Sequence, residues 1–158
     1  MCEDWLFWGL SKIEAGKREE GVEMVRTKGM RCERTKKLAL DLMIHFTTEA
    51  KTQNPTDPDI HYEFIQYLLM DGNKNALDLA YRNAYDYVQV EPFQPKGWEA
   101  NIQVLLARGE RDLAIEVLEH SISEMLEYIK RPALAAHVAT FELLLNTFER
   151  LLDEVRRE

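Results

Sequence analysis

Apolar residues return every three or four positions along nearly the whole chain, and strand-like alternation is hard to find. Trp5, Trp8, Leu10 and Ile13 open a first helix that Gly16 breaks. A second segment over residues 17–27 carries Val22, Met24 and Val25, and Gly29 interrupts it. Residues 31–52, with Leu38, Leu40, Leu42, Met43 and Phe46, predict a longer third helix. The run TQNPTDP at 52–58 is the clearest loop, and its Asp57 can cap the helix that follows. Further helices are expected over 58–70, 74–90, 95–107 and 110–129, with Asp71-Gly72-Asn73, Glu91–Pro95 and Gly109 as stops. An eighth runs from Pro132 to near the end. All five prolines fall between helices or at helix starts, so breakers and periodicity agree on an all-α fold of about eight helices.

An internal echo organises these helices. Placing Phe64 over Trp98, 34 residues on, puts Leu68 over Ile102, Asn75 over Gly109, Ala80 over Ala114 and Ala84 over Leu118. Trp5, Gly9, Gly16, Gly21 and Val25 repeat the relative spacing of Trp98, Ile102, Gly109, Ala114 and Leu118. This spacing resembles the tetratricopeptide repeat: a large residue early in helix A, Gly at the inter-helix turn, a small residue in helix B and a closing proline. Small residues let the two helices approach closely, and the large residue fills the groove between neighbouring units. Position eight of the unit departs from the pattern in holding Leu68 and Ile102, and Asn75 replaces the turn glycine. The resemblance implies antiparallel hairpins stacked as a short solenoid. One helical-repeat domain would then cover 1–158, with units at 2–30, 61–94 and 95–128, an inserted helix at 31–52 and a capping helix at 132–157. Residues 75–127, alanine-rich helix, acidic-Pro turn, helix, Arg-Gly turn and helix, are also similar to the bacterial transcriptional activator domain, itself of such repeats. The DNA-binding half that accompanies that domain is not in the sequence.

Composition narrows the class without naming an activity. Forty-six per cent apolar and thirty per cent charged residues describe a globular chain with no apolar run long enough to span a bilayer. Two acids in Met1-Cys2-Glu3-Asp4 stand where an export signal would carry bases. Cys2 and Cys32 are too few for a disulfide framework and fit a reducing compartment, so a cytoplasmic, intracellular protein is expected. The net charge is −8, unevenly spread. The belt RTKGMRCERTKK sets Arg26, Lys28, Arg31, Arg34, Lys36 and Lys37 against the single acid Glu33, which leaves −13 for the other 146 residues. Such a belt on an acidic body suits an acidic protein segment or a phosphate backbone.

No signature of catalysis emerges. The run from Gly9 to Lys17 has six residues between its glycines where a phosphate loop needs about four, and Arg18 where Ser or Thr should hold magnesium. His45, His61, His120 and His137 are scattered, without metal-ligand spacing, and the chain is read as no enzyme, with no metal and no cofactor. In the repeat register, the concave face would present Leu6, Phe7, Leu10, Tyr62, Gln66, Leu69, Lys96, Glu99 and Gln103. The expected function is a non-catalytic interaction module or scaffold holding a peptide, helix or partner domain in that groove. The alternative is a regulatory domain of a transcription factor whose belt at 26–37 contacts nucleic acid or an acidic subunit. A protein or peptide partner is expected ahead of nucleic acid, and no membrane; the last helix could cap the stack or pair two copies as a homodimer.

Overall fold

The computed structural model describes residues 2–158, with side chains from Asp4 onward. Among the described residues the fold is all-helical, and no helix is long and apolar enough to cross a membrane. Eight α-helices gather into two compact units, one ending at Asn73 and one from Lys74 to Glu158.

The first unit holds α1 (Cys2–Glu14), α2 (Arg18–Met24), α3 (Lys36–Gln53) and α4 (Pro58–Asp71). Its core joins Leu6, Val25, Ala39, Leu40, Met43, Phe46 and Tyr67. Gly16 ends α1 in the left-handed region at φ 82°. Its N–H bonds the Ile13 carbonyl at 3.0 Å, and the Lys17 N–H reaches back to Lys12 at 2.8 Å, so two orphan carbonyls are satisfied. Asp57 caps α4 as the sequence suggests: its carboxylate accepts from the Asp59 and Ile60 N–H groups at 2.9 and 3.3 Å, ahead of Pro58 in the first turn.

The segment between α2 and α3 departs from the expected helix at 31. A π-helical turn, Val25–Gly29, follows α2, and the chain turns until Lys36. The lock is Thr35, whose buried hydroxyl donates to the Gly29 carbonyl at 2.8 Å while its N–H bonds Cys32. That local bonding competes with helix, as short polar side chains do. Cys32 is half-buried here and disulfide-bonded, so the cysteine count no longer argues for a reducing compartment. The Cys2 side chain lies outside the described residues.

α1 and α2 cross where both are bare. A Cβ on Gly21 would collide with the Gly9 carbonyl oxygen and stand 2.5 Å from Ile13 Cγ1. Gly21→Ala is therefore expected to destabilise the protein by about 2 kcal/mol, overpacking outweighing the gain in helix propensity. Urea unfolding measures it, and an unchanged or raised midpoint would show that the crossing can open freely.

The second unit holds α5 (Lys74–Val90), α6 (Pro95–Ala107), α7 (Arg111–Lys130) and α8 (Val138–Arg157). Gly109, at φ 78°, closes α6 by the same pair of bonds as Gly16: its own N–H to Leu106 and that of Glu110 to Leu105. α5 packs along α6 and α7 along α8. The core is built from Ile102, Leu105, Ala114, Leu118, Phe141, Leu144, Phe148 and Leu151. The last helix begins later than expected, at Val138, because Pro132–His137 forms a 3-10 turn. None of its six residues is fully buried, although Leu134 packs against the core of the unit.

Candidate functional site

The side chains expected to line a groove fall into different environments. Leu6 is only 6 % exposed and belongs to the core of the first unit, which corrects its placement on a binding face. Its neighbour Phe7 points the other way, 67 % exposed, and Trp8 beside it is 50 % exposed. Adjacent helical residues diverge by about 100°, so Leu6 can face the core while Phe7 faces outward. Leu10 packs against the core, and Tyr62, Gln66 and Leu69 are half-buried on α4. In the second unit Lys96 is exposed, while Glu99 and Gln103 are half-buried on α6 and Glu99 reaches Arg150 of α8 at 3.5 Å.

The basic belt is partly neutralised within the unit. Arg26 pairs with Glu23 at 2.8 Å and Glu63 at 3.1 Å. Lys37 pairs with Asp41 at 3.0 Å and Asp71 at 2.7 Å, and its ammonium holds the Asp71 carboxyl below the usual range. Lys28 lies over the Trp5 ring, 5.2 Å from its centre. Arg31, Arg34 and Lys36 are exposed on the turn and the start of α3. Internal carboxylates on Arg26 and Lys37 weigh against a continuous phosphate-tracking surface.

A cavity of about 380 Å³ opens between α2, α3 and α4, a feature the sequence reading missed. Val22, Met43, Phe46, Ala50 and Ile60 supply its apolar wall. Arg18, Glu19, Glu23, Arg26, Glu49 and Glu63 supply its charges. At one end Arg18 bonds Glu49 and lies 5.3 Å from the Phe46 ring centre; Glu49 also meets His45 at 3.0 Å. At the other, the π-helical turn delivers Arg26 to Glu63, whose carboxylate also accepts the hydroxyl of buried Tyr67 at 2.7 Å. Burial, and then the Glu63 carboxylate, push the Tyr67 phenol up to about 12, so it stays a donor at neutral pH. The sequence signal for this site is faint: Arg18, Val22 and Arg26 recur at four-residue spacing, as do Glu19 and Glu23.

Among the described residues no group of three His, Cys, Asp or Glu side chains could hold a metal ion. His120 meets Glu124 one turn away at 3.2 Å, an exposed pair on α7. No protein-family model, no curated protein and no solved structure matches this chain.

Proposed function

We propose that the protein is a non-catalytic interaction module of tetratricopeptide-like build, which presents apolar side chains to a protein partner. The observation that carries this reading is the outer face of α1, where Phe7 and Trp8 stand in water while Leu6 anchors the same helix in the core. Large apolar side chains so exposed, side by side, mark contact surfaces more often than they mark chance. Burying a phenylalanine ring in a partner contributes about 1.5–3 kcal/mol, and aromatic anchors commonly dominate such contacts. Lys28 over Trp5, with Arg31 on the following turn, adds a basic margin that favours an acidic rim on the partner. Two features support the repeat-like build: the matched helix ends at Gly16 and Gly109, and the close glycine crossing of α1 and α2.

The test is affinity capture with the intact chain against the same chain carrying Phe7→Ser. Because Phe7 is outside the core, far-UV circular dichroism and melting should match the parent. A stoichiometric protein should be retained by the parent and fall about tenfold or more with the variant, and a change at an exposed residue of the other unit, Leu143→Ser, should leave it unaltered. Equal recovery by the parent and Phe7→Ser removes α1 from the binding surface. Loss of the captured material on nuclease treatment would replace a protein partner with nucleic acid.

A further inference from the structure

We propose that the cavity between α2, α3 and α4 binds a small organic cation, an ammonium group carried on a compact apolar body. This goes beyond the interaction reading, because the site does not use Phe7 or Trp8 and stands or falls without them.

Size and lining come first. A space of about 380 Å³ walled by Val22, Met43, Phe46 and Ile60 is in the range of small-molecule sites, which pair an apolar interior with a few placed polar groups. Charge then selects the ligand. Four carboxylates (Glu19, Glu23, Glu49, Glu63) face two guanidinium groups (Arg18, Arg26), an excess of two negative charges. Both guanidiniums are already engaged, Arg18 by Glu49 and the Phe46 face, Arg26 by Glu23 and Glu63. Glu19 makes no ion pair with a described residue. An anionic ligand would meet arginines whose charge glutamates already offset, and would add to the excess of negative charge. A neutral apolar ligand would fill the interior and strip water from the carboxylates without replacing it. An ammonium group does neither: it donates to the free lone pairs of Glu63 and Glu19, while its apolar body covers Val22 and Phe46.

The π-helical turn has a part in this arrangement. Val25–Gly29 buries Val25 and Gly29 and leaves Arg26 on the cavity side, where it fixes Glu63 between a guanidinium and the Tyr67 hydroxyl. Both partners hold the Oε1 of Glu63, which leaves Oε2 aimed for a ligand that then loses less entropy in finding it.

Calorimetric titration with three probes of similar shape tests the proposal at neutral pH and low salt: phenethylamine, phenethyl alcohol and hydrocinnamate. Phenethylamine should bind saturably and about tenfold or more tighter than the alcohol, the worth of one charge-assisted hydrogen bond, with no saturation by hydrocinnamate. Ala50→Leu, which narrows the cavity from α3, should weaken the amine by about tenfold with circular dichroism unchanged. Glu63→Gln should weaken it similarly; because that change also touches Arg26 and Tyr67, the exposed Glu19→Gln serves as a second variant, with a few-fold loss. Phe7→Ser should leave amine binding as it is, whatever happens to protein capture. The proposal is overturned if the alcohol or the acid binds as well as the amine, if Ala50→Leu keeps full affinity, or if the amine does not saturate.

Discussion

Phe148→Ala should cost the protein about 3–5 kcal/mol, the range for removing a fully packed ring. Phe148 is 1 % exposed on α8, and its ring meets Trp98 of α6 edge-on, centres 5.3 Å apart. Around it stand Ile102, Leu118, Leu144, Leu151 and Leu152, contributed by three helices. Helical backbone on three sides cannot collapse into the space left behind, so both lost transfer energy and an unfilled cavity count against the variant. Domain stabilities run to about 5–15 kcal/mol, so a loss of this size removes about a fifth or more of the whole. Leu143→Ala, on the outer face of the same helix at 56 % exposure, supplies the contrast and should change stability by no more than about 0.5 kcal/mol. Urea unfolding followed by circular dichroism compares the two. A loss under about 1 kcal/mol for Phe148→Ala would mean that α8 is not held to α6 and α7 by its apolar stripe.

That stripe is where the sequence speaks most clearly. Phe141, Leu144, Phe148, Leu151 and Val155 recur at three and four residues, and all five are buried. Helix ends were readable where a residue has one physical use: Asp57 as a cap, Pro58 and Pro95 in first turns, Gly16 and Gly109 in left-handed turns. The reading failed where tertiary contacts decided. Thr35 binding the Gly29 carbonyl sets the start of α3, and nothing in local propensity announces that bond. Leu6 and Phe7 are adjacent and equally apolar, so periodicity alone could not say which faces the core. The belt at 26–37 shows the same limit for charge. Its partner Asp71 lies 34 residues beyond Lys37, so a sum over neighbouring residues sees six bases where the fold already pairs Arg26 and Lys37 with carboxylates. The cavity was illegible for a related reason. Its lining comes from α2, the π-helical turn, α3 and α4, brought together only by the fold, and no local pattern in any one of them announces a cavity.

Acid should destabilise this protein through one histidine before most carboxylates titrate. His61 is 2 % exposed in the first turns of α4, and burial, followed by the positive charge of Lys51, pushes its imidazole down to about 4 from an ordinary 6.5. The folded state therefore refuses a proton that the unfolded chain accepts. Between about pH 6.5 and 4 the unfolded state binds more protons, so stability is fully present above that window and falls as pH descends through it. Below about 4 both states are protonated and this contribution levels off. A shift of that size corresponds to a loss of about 3 kcal/mol. Carboxylates also begin to titrate near the lower end, so the informative quantity is the difference between the parent and His61→Leu, in which their effects cancel. Urea unfolding of both chains from neutral pH to about 4 should show the parent losing about 3 kcal/mol more than the variant. The imidazole proton of His61, followed by nuclear magnetic resonance, should titrate near 4 in the folded protein. Parallel stability curves, or a His61 midpoint near 6.5, would mean that water reaches the ring and that the packing around the start of α4 is looser than its burial implies.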